Sequence, residues 1–184
     1  LMAGFNGTIL PVNPGHISVA GILCYSNVAT LPISPELAII CVDGDDVTSL
    51  FSQLETAGTK AVILIANKLY DAEHFQLLSM QAKAHNLRLV GPNSLGIIMP
   101  WIQLNASLSP INMNPGKIAF ISQSAAIATT VIDWAQDRNI GFSAFISIGS
   151  SVDISVAEVI DYLCMHSKTE AILIYVEHIN DARR

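Results

Sequence analysis

The stretch KIAFISQSAAIATTVIDWAQ, residues Lys117 to Gln136, joins a strand pattern directly to a helix pattern. Its first part, Ile118 to Ile121, is a short apolar run after a Pro-Gly pair, which is typical of a buried strand. Its second part repeats apolar residues at helical spacing, as one stripe of a helix does. The members of this stripe are Ile127, Val131, Trp134 and Ala135. The sequence therefore predicts a strand, a tight turn and a helix in immediate succession.

Three polar residues, Ser122, Gln123 and Ser124, separate this strand from this helix. A serine hydroxyl accepts hydrogen bonds from the unpaired N–H groups of a first helical turn, so Ser122 or Ser124 can cap the helix. Free N–H groups, hydroxyl donors and the positive end of the helix dipole together favour an anion. One interpretation of this pattern is an anion-binding turn. An ordinary capped turn has the same residues, and the pattern alone leaves both interpretations open.

The composition excludes several classes of protein. Hydrophobic residues make up 51% of the 184 residues and charged residues only 13%, well below the roughly 25% typical of soluble domains. Part of the surface should therefore be neutral and covered by a partner or by further chain. The net charge of −6 argues against nucleic acid as a partner. No apolar run reaches the roughly 20 residues of a membrane span.

The cysteines and histidines predict neither a disulfide framework nor a metal site. Cys24, Cys41 and Cys164 are widely spaced and lack a CxxC pair, which fits reduced thiols in a cytoplasmic protein. The five histidines show no pairing at the spacing of metal ligands. No metal is therefore predicted.

The first half of the chain alternates between strand and helix patterns. Strands are predicted at 8–12, 36–42, 61–66 and 87–90, and helices near 47–57 and 72–86. Near-continuous apolar runs such as residues 36–42 predict strands that are buried on both faces. This alternation predicts right-handed βαβ units and a parallel sheet, with ligands at the carboxyl ends of the strands.

The second half repeats the pattern after a connection. Residues 96–115 are rich in Pro, Asn and Ser, which is typical of a loop, and so long a loop predicts a domain boundary. Further strands are predicted at 117–122, 143–148 and 171–177, and further helices at 124–138 and 156–166. The predicted fold class is α/β, with two three-layer domains and mostly parallel sheets. The predicted division is a domain at 1–96, a linker at 97–116 and a second domain at 117–184.

Both ends of the sequence look truncated. Residues 1–7 resemble the last turn of a helix with a glycine stop, and residues 180–184 resemble the first turn of a helix. We therefore expect the sequence to be part of a longer chain.

Several motifs occur in a fixed order along the chain. They are Gly91-Pro92-Asn93-Ser94-Leu95-Gly96, Leu104-Asn105-Ala106, Pro115-Gly116-Lys117-Ile118-Ala119 and Ser122-Gln123-Ser124. This series resembles the NDP-forming acyl-CoA synthetases and the α subunit of succinyl-CoA synthetase, over essentially the whole chain. Val12-Asn13-Pro14 is similar to the VxP turn of the CoA-binding domain in that superfamily.

Within the superfamily, the sequence is most similar to the synthetase-like region of bacterial protein lysine acetyltransferases. The similarity lies in Trp101 after Pro100, Ser124-Ala125-Ala126, Asp133-Trp134-Ala135-Gln136 and Asp181-Ala182-Arg183-Arg184. In that subgroup, an acetyltransferase domain of the GNAT type follows a longer synthetase-like region.

The resemblance implies a CoA-binding Rossmann-like domain followed by a flavodoxin-like ligase domain. The implied reaction converts an acyl-CoA, phosphate and NDP to the acid, CoA and NTP, through an acyl phosphate and a phosphohistidine. The implied ligands are coenzyme A or acyl-CoA and phosphate, with the nucleotide bound by parts outside this chain. The residues that would line the CoA cleft are Asn13, Pro14, Val42, Asp43, Ile65, Ala66, Pro92 and Asn93.

The same resemblance gives roles to the polar turn and to the end of the last predicted strand. Ser122, Gln123 and Ser124 would hold the phosphoryl group, and Glu177 would be the catalytic glutamate that contacts the phosphohistidine. In the superfamily, the first phosphate loop lies upstream of these residues and the phosphohistidine lies downstream. Ala125 stands where glycine is usual, and its methyl group crowds the approach of an anion. We therefore expect these 184 residues to bind CoA weakly and to be inactive alone.

Two hypotheses from different classes follow. In one, the chain is the CoA-binding and ligase-like module of an NDP-forming acyl-CoA synthetase. In the other, it is a degenerate module that senses acyl-CoA and regulates an attached acetyltransferase. An NAD-dependent dehydrogenase also fits the alternation, but the chain contains no GxGxxG. The expected partners are a CoA thioester and the remaining domains of the parent chain. The acyl group, the choice of ADP or GDP and the association of copies stay open.

Overall fold

The computed structural model describes residues 4–42, 47–65 and 71–179, which form strands and helices of an α/β fold. The strands are β1 Ser18–Val19, β2 Ile22–Leu23, β3 Leu37–Ile40, β4 Ala61–Leu64, β5 Arg88–Val90, β6 Gly96–Met99, β7 Leu104–Ser107, β8 Pro115–Ser122, β9 Phe142–Ser147 and β10 Ala171–Tyr175. The helices are α1 Val47–Thr56, α2 Ala72–Ala84, α3 Ala125–Asp137 and α4 Val156–Met165. Short 3-10 turns lie at Val28–Thr30 and Pro100–Ile102.

The first half contains a parallel sheet in the order β3-β4-β5. Successive side chains of a strand point to opposite faces, so the apolar runs of these strands supply two faces at once. One face packs against both α1 and α2. The buried members of that core are Val28, Ile40, Val47, Phe51, Leu54, Val62, Leu64, Leu78, Ala82, Leu87 and Leu89.

The second half contains a five-stranded sheet in the order β10-β8-β9-β6-β7. Strands β10, β8 and β9 run parallel, whereas β6 is antiparallel to both β9 and β7. Helix α3 packs on one face through Ala128, Ile132 and Ala135, and α4 packs on the other through Val159 and Leu163. The prediction of an α/β fold with separate, mostly parallel sheets is confirmed.

The two sheets share a small apolar cluster. The face of the first sheet that lies away from the helices presents Ile63, Ile65 and Val90 to Ala106 of β7. Ile154, in the segment that leads into α4, packs against the same cluster. The second half of the chain therefore covers the second face of the first sheet at β4 and β5.

The predicted loop at 96–115 is wrong for most of its length. Residues 96–107 form β6, a 3-10 turn and β7, and both strands belong to the five-stranded sheet. The turn begins at Pro100 and ends at Gln103, whose φ of 55° lies in the left-handed region. The indole of Trp101 fixes this hairpin by donating from Nε1 to the carbonyl of Gly116 at 2.9 Å. The limits of the domains remain a prediction.

Two further predictions about the first half are wrong. Residues 8–12 are not a strand, and within the described chain they form one isolated parallel bridge, from Val12 to Tyr25. Strand β3 forms as predicted but is not buried on both faces, because Leu37 and Ile39 are 36% and 44% exposed. Among the described residues β3 pairs only with β4, so its other edge is open.

The apolar stripe predicted for the helix after the polar turn packs only in part, through Val131 and Ala135. Ile127 and Trp134 are 37% and 50% exposed, and Arg138 lies over the Trp134 ring. The buried side chains of α3 are Ala128, Ile132 and Ala135, of which only Ala135 belongs to the predicted stripe.

Candidate functional site

The polar turn joins β8 to α3 as the sequence predicts. Ser124 is the N-cap of α3, and its Oγ accepts from the N–H of Ile127 at 3.3 Å. The hydroxyl of Ser122 accepts from the N–H of Ser124 at 3.1 Å and donates to the carbonyl of Ser124 at 2.8 Å. Ser122 is fully buried, so its hydroxyl shapes the turn. Ser124 is only partly buried and lies at the end of the helix dipole that favours an anion.

Gln123 connects this turn to the last strand. Its Oε1 accepts from the N–H groups of Glu177 and His178 at 2.7 and 3.0 Å, and its Nε2 donates to the carbonyl of His178 at 3.0 Å. The side chain is buried, with 7% of the residue exposed. A role in holding phosphate was predicted for Gln123, but its amide is occupied by these backbone groups. No local pattern in the sequence indicates this contact, because the partners are more than 50 residues away.

Glu177 lies beside the polar turn. Its position follows from the sheet, since Tyr175 of β10 pairs with Ser122 of β8 and accepts from the N–H of Gln123 at 3.1 Å. Glu177 is exposed, and within the described chain its carboxylate makes no hydrogen bond. The structure therefore brings together the N-terminus of α3 and a free carboxylate at the carboxyl ends of two adjacent strands.

The predicted CoA residues divide between two places. Val42, Ile65 and Pro92 follow β3, β4 and β5, so they lie at one edge of the first sheet. Val42 is 52% exposed, whereas the side chain of Ile65 is buried in the apolar cluster between the sheets. Only the backbone of Ile65 can therefore face a ligand. Asp43 and Ala66 lie outside the described residues.

Asn13 and Pro14 line a separate groove of about 450 Å³. It is formed by residues 13–17 and 23–26, around the β1–β2 hairpin. The Oδ1 of Asn13 accepts from the N–H of Gly15 at 2.8 Å, and the N–H of Asn13 donates to the carbonyl of Tyr25 at 2.9 Å. Among its described lining residues are none from the edge that carries Val42 and Pro92. The structure does not bring the two predicted groups into one cavity.

The end of β5 is held by the segment that follows β9, a contact that no local pattern in the sequence predicts. Asn93 is exposed and has a left-handed φ of 57°, a conformation that asparagine tolerates better than most residues. Its Nδ2 donates to Ser150 Oγ at 2.9 Å, and the N–H of Ser150 donates to the carbonyl of Pro92 at 2.9 Å. Pro92 itself is buried and follows a cis peptide bond.

A cluster of charged side chains lies at the beginning of β5, the strand whose other end is bonded to Ser150. Asp153 Oδ2 accepts from the N–H of Leu89 at 2.8 Å and from Arg88 Nε at 3.0 Å. Arg88 also donates to Glu158 Oε1 at 2.8 Å. The backbone N–H of Ser155, followed by Arg88, lowers the pKa of Glu158 to about 2. These groups join β5 to the start of α4.

Neither a metal site nor a membrane span emerges from the described residues. In that part of the chain no cluster of His, Cys, Asp or Glu has the arrangement of metal ligands. None of the helices described there is long and apolar enough to cross a membrane.

Comparison with family models assigns both halves of the chain. Residues 2–100 match the CoA binding domain, and residues 115–184 match the succinyl-CoA ligase like flavodoxin domain.

Characterised relatives agree with these assignments. The chain is 32% identical over 182 residues to the ADP-forming acetate–CoA ligase of Methanocaldococcus jannaschii, covering 97% of this chain and 26% of the relative. It is also 32% identical over 190 residues to the α subunit of the ADP-forming acetate–CoA ligase I of Pyrococcus furiosus, covering 98% of this chain and 41% of the subunit.

A solved structure shows the same fold. It is the dinucleotide forming acetyl-coenzyme A synthetase 1 of Ca. Korarchaeum cryptofilum in complex with phosphate and ADP. The TM-score is 0.93 at 30% identity, and the match covers 98% of this chain and 40% of that chain. The chain thus spans about a quarter to two-fifths of the length of these relatives.

These findings do not support the closer resemblance to the acetyltransferase subgroup. They agree with the motif series from Gly91 to Ser124 and with the order of the two domains. The chain belongs to the family of CoA-binding domains, here joined to a succinyl-CoA-ligase-like flavodoxin domain, and it is a CoA-binding and ligase-like region that matches the α subunit of the NDP-forming acyl-CoA synthetases.

Proposed function

We propose that this chain binds the CoA thioester and handles the phosphoryl group in an ADP-forming acyl-CoA synthetase. In the proposed reaction, a phosphate oxygen attacks the thioester carbon, the C–S bond breaks, and CoA leaves as the thiolate. The resulting acyl phosphate passes its phosphoryl group to a histidine, which releases the acid, and then to ADP, which gives ATP. The ADP-forming ligases named above support ADP as the nucleotide.

The contact between Gln123 and the backbone of Glu177 and His178 carries this proposal. It holds a carboxylate-bearing strand end against a helix N-terminus, where the carboxyl ends of β8 and β10 meet. The N–H groups at the start of α3, with the Ser124 hydroxyl, offer donors to a phosphoryl group. The Glu177 carboxylate offers an acceptor to a protonated histidine from outside the described residues.

The CoA thioester would lie along the carboxyl edge of the first sheet. Val42 is exposed there, and Pro92 and Asn93 form the turn after β5. The Ala125 methyl group narrows the approach to the start of α3, so phosphate should bind more weakly than it would with glycine at this position.

The remaining partners follow from the length of the relatives. Because the chain covers about two-fifths of the α subunit from P. furiosus, we propose that further domains or subunits bind the nucleotide. Free Cys24, Cys41 and Cys164 agree with a cytoplasmic location.

Calorimetric titration of the 184-residue protein with CoA tests the proposal. The variant Val42→Glu places a carboxylate at the proposed edge, where it should repel the CoA phosphates and weaken binding about fivefold or more. Met80→Glu is the matched control. Met80 is 67% exposed on α2, so this substitution adds the same charge away from the carboxyl edge.

The expected result is that CoA binds to the unaltered protein and to Met80→Glu alike. No measurable CoA binding to the unaltered protein would contradict the proposed function. Equal affinity in the Val42→Glu variant would show that CoA binds elsewhere, and the groove at Asn13 would be the next place to test.

A further inference from the structure

One segment of the second half touches both proposed ligand regions. We call Ser147 to Ser151 the bridging segment, which begins with the last residue of β9. On one side, the N–H of Ile148 donates to the carbonyl of Ser122 at 2.9 Å, within the polar turn. On the other side, Ser150 bonds to Pro92 and Asn93 at the carboxyl edge of the first sheet, the proposed CoA edge.

The bridging segment also holds the residues that follow Asn93. The hydroxyl of Ser147 accepts from the N–H of Leu95 at 2.9 Å, and the carbonyl of Ser147 accepts from the hydroxyl of Ser94. Ser94 and Ser147 are both buried. The turn after β5 is therefore bound to this segment at four successive residues, from Pro92 to Leu95.

The backbone of the bridging segment has little freedom. Gly149 has a left-handed φ of 57°, and a Cβ at this position would collide with the carbonyl of Pro92. Ser151 also has a left-handed φ, of 51°, and its hydroxyl donates to the carbonyl of Ile154 at 2.7 Å. The Ser150 hydroxyl is thus presented to Asn93 from a backbone that is fixed on both sides.

We infer that Ser150 is a positioning residue for the thioester end of CoA, acting through the Asn93 side chain. By accepting from Nδ2, the Ser150 hydroxyl fixes the plane of the Asn93 amide. The Asn93 Oδ1 and its second amide hydrogen then have no partner within the described chain, so they are available to a ligand. This inference rests on the proposed function.

The choice of the thioester end follows from the chemistry of that reaction. Phosphate can attack the thioester carbon only where the CoA edge meets the phosphate-binding turn. The bridging segment is the element that joins those two places, through Ser122 on one side and Asn93 on the other. The phosphorylated adenosine part of CoA must therefore lie farther from Ser150 than the thioester does.

Calorimetric titration with two probes, acetyl-CoA and adenosine bisphosphate, tests this assignment. Ser150→Ala should weaken acetyl-CoA binding about five- to tenfold, the effect of one lost polar contact. It should leave the affinity for adenosine bisphosphate within about twofold. Ser150→Thr keeps the hydroxyl and should restore most of the acetyl-CoA affinity.

Ser143→Ala is the matched control. It removes a hydroxyl from the other end of β9, where Ser143 bonds to Thr169 at 2.8 Å. It should change neither affinity. Melting temperatures of all variants separate a loss of positioning from a loss of structure.

Different failures are distinguishable. If the unaltered protein binds neither probe, the proposed function falls and this inference falls with it. If acetyl-CoA binds equally to the unaltered protein and to Ser150→Ala, only the positioning role is overturned. An equal loss for both probes with a lower melting temperature would also overturn it, because Ser150 would then support the fold alone.

Discussion

The two sheets contain strands of similar apolar composition but bury them differently. Every residue of β9 is buried, because β9 has a neighbouring strand on each side and a helix on each face of its sheet. In β3, by contrast, Leu37 and Ile39 are 36% and 44% exposed. For these two strands the apolar composition predicts the strand itself, whereas the order of strands in the sheet decides how deeply each strand is buried.

The largest expected effect is on the stability of the five-stranded sheet. Phe145 of β9 is 1% exposed, and its ring lies 4.9 Å from that of Phe120 and 5.5 Å from that of Phe142. Phe145→Ala should lower the free energy of unfolding by about 3–5 kcal/mol. Ile39→Ala in β3 should cost less than about 1.5 kcal/mol, since this side chain is already partly hydrated. Urea unfolding compares the two, and equal losses would contradict the difference in burial.

A smaller effect on stability is expected where β5 of the first sheet is bonded to Asp153, in the segment before α4. The side chain of Asp153 is 7% exposed and accepts from the N–H of Leu89. Asp153→Ala leaves that N–H without its acceptor, so it should cost about 1–3 kcal/mol in the free energy of unfolding. Arg88→Ala should cost less, because half of the Arg88 side chain is already in water. The same urea experiment measures both variants. A larger loss for Arg88→Ala would show that the ion pair stabilises this contact more than the hydrogen bond from Leu89 does.

The stabilising effect of this contact between β5 and α4 should decrease at acid pH. The folded state lowers the pKa of Glu158 from 4.5 to about 2, through the Ser155 N–H and Arg88. A carboxyl with a lowered pKa stabilises the fold above its unfolded pKa, and this contribution is lost as the pH falls from about 4.5 to about 2. Glu158→Gln should therefore flatten the decline of melting temperature over this range. Glu170→Gln, at an exposed carboxylate, should not flatten it. An unchanged decline in Glu158→Gln would contradict the assignment.

The smallest expected effect on stability lies at the carboxyl edge of the five-stranded sheet. Ser124→Ala removes the cap of α3 and should cost about 1 kcal/mol. It should also remove most of the phosphate binding that titration measures, because the Ser124 hydroxyl is the exposed donor of the turn. Ser155→Ala is the matched control, since Ser155 caps α4 in the same way, through the N–H of Glu158. Loss of phosphate binding in both variants would mean that capping as such, and not the polar turn, controls the result.

Local signals predicted the helices well. Helix α3 was expected at 124–138 and spans Ala125–Asp137, with Ser124 and Arg138 as its caps. Capping and periodicity act within a few residues, so the sequence displays them directly. Strands depend on partners that are distant in sequence, which is why residues 8–12 were predicted as a strand and β6 and β7 were missed.

The candidate site was predictable in its location but not in its contacts. The sequence predicts an anion site at Ser122, Gln123 and Ser124, but it does not show which of their polar groups are already used. In the structure, the Ser122 hydroxyl is hydrogen-bonded within the turn, and the side-chain amide of Gln123 is hydrogen-bonded to the residues that follow β10. The side chain of Ile65 is likewise buried in the core, whereas that of Val42 is exposed, and the sequence does not distinguish the two.

The apolar cluster shared by the two sheets has a consequence for exchanging parts between relatives. Ile63, Ile65 and Val90 pack against Ala106, which lies beyond residue 96, where the first predicted domain ends. A chimera that takes residues 1–96 from one relative and the remainder from another must therefore match two surfaces as well as join two sequences. Amide protons of β4 and β7 should exchange with deuterium in one cooperative opening, because neither strand can open without uncovering the other.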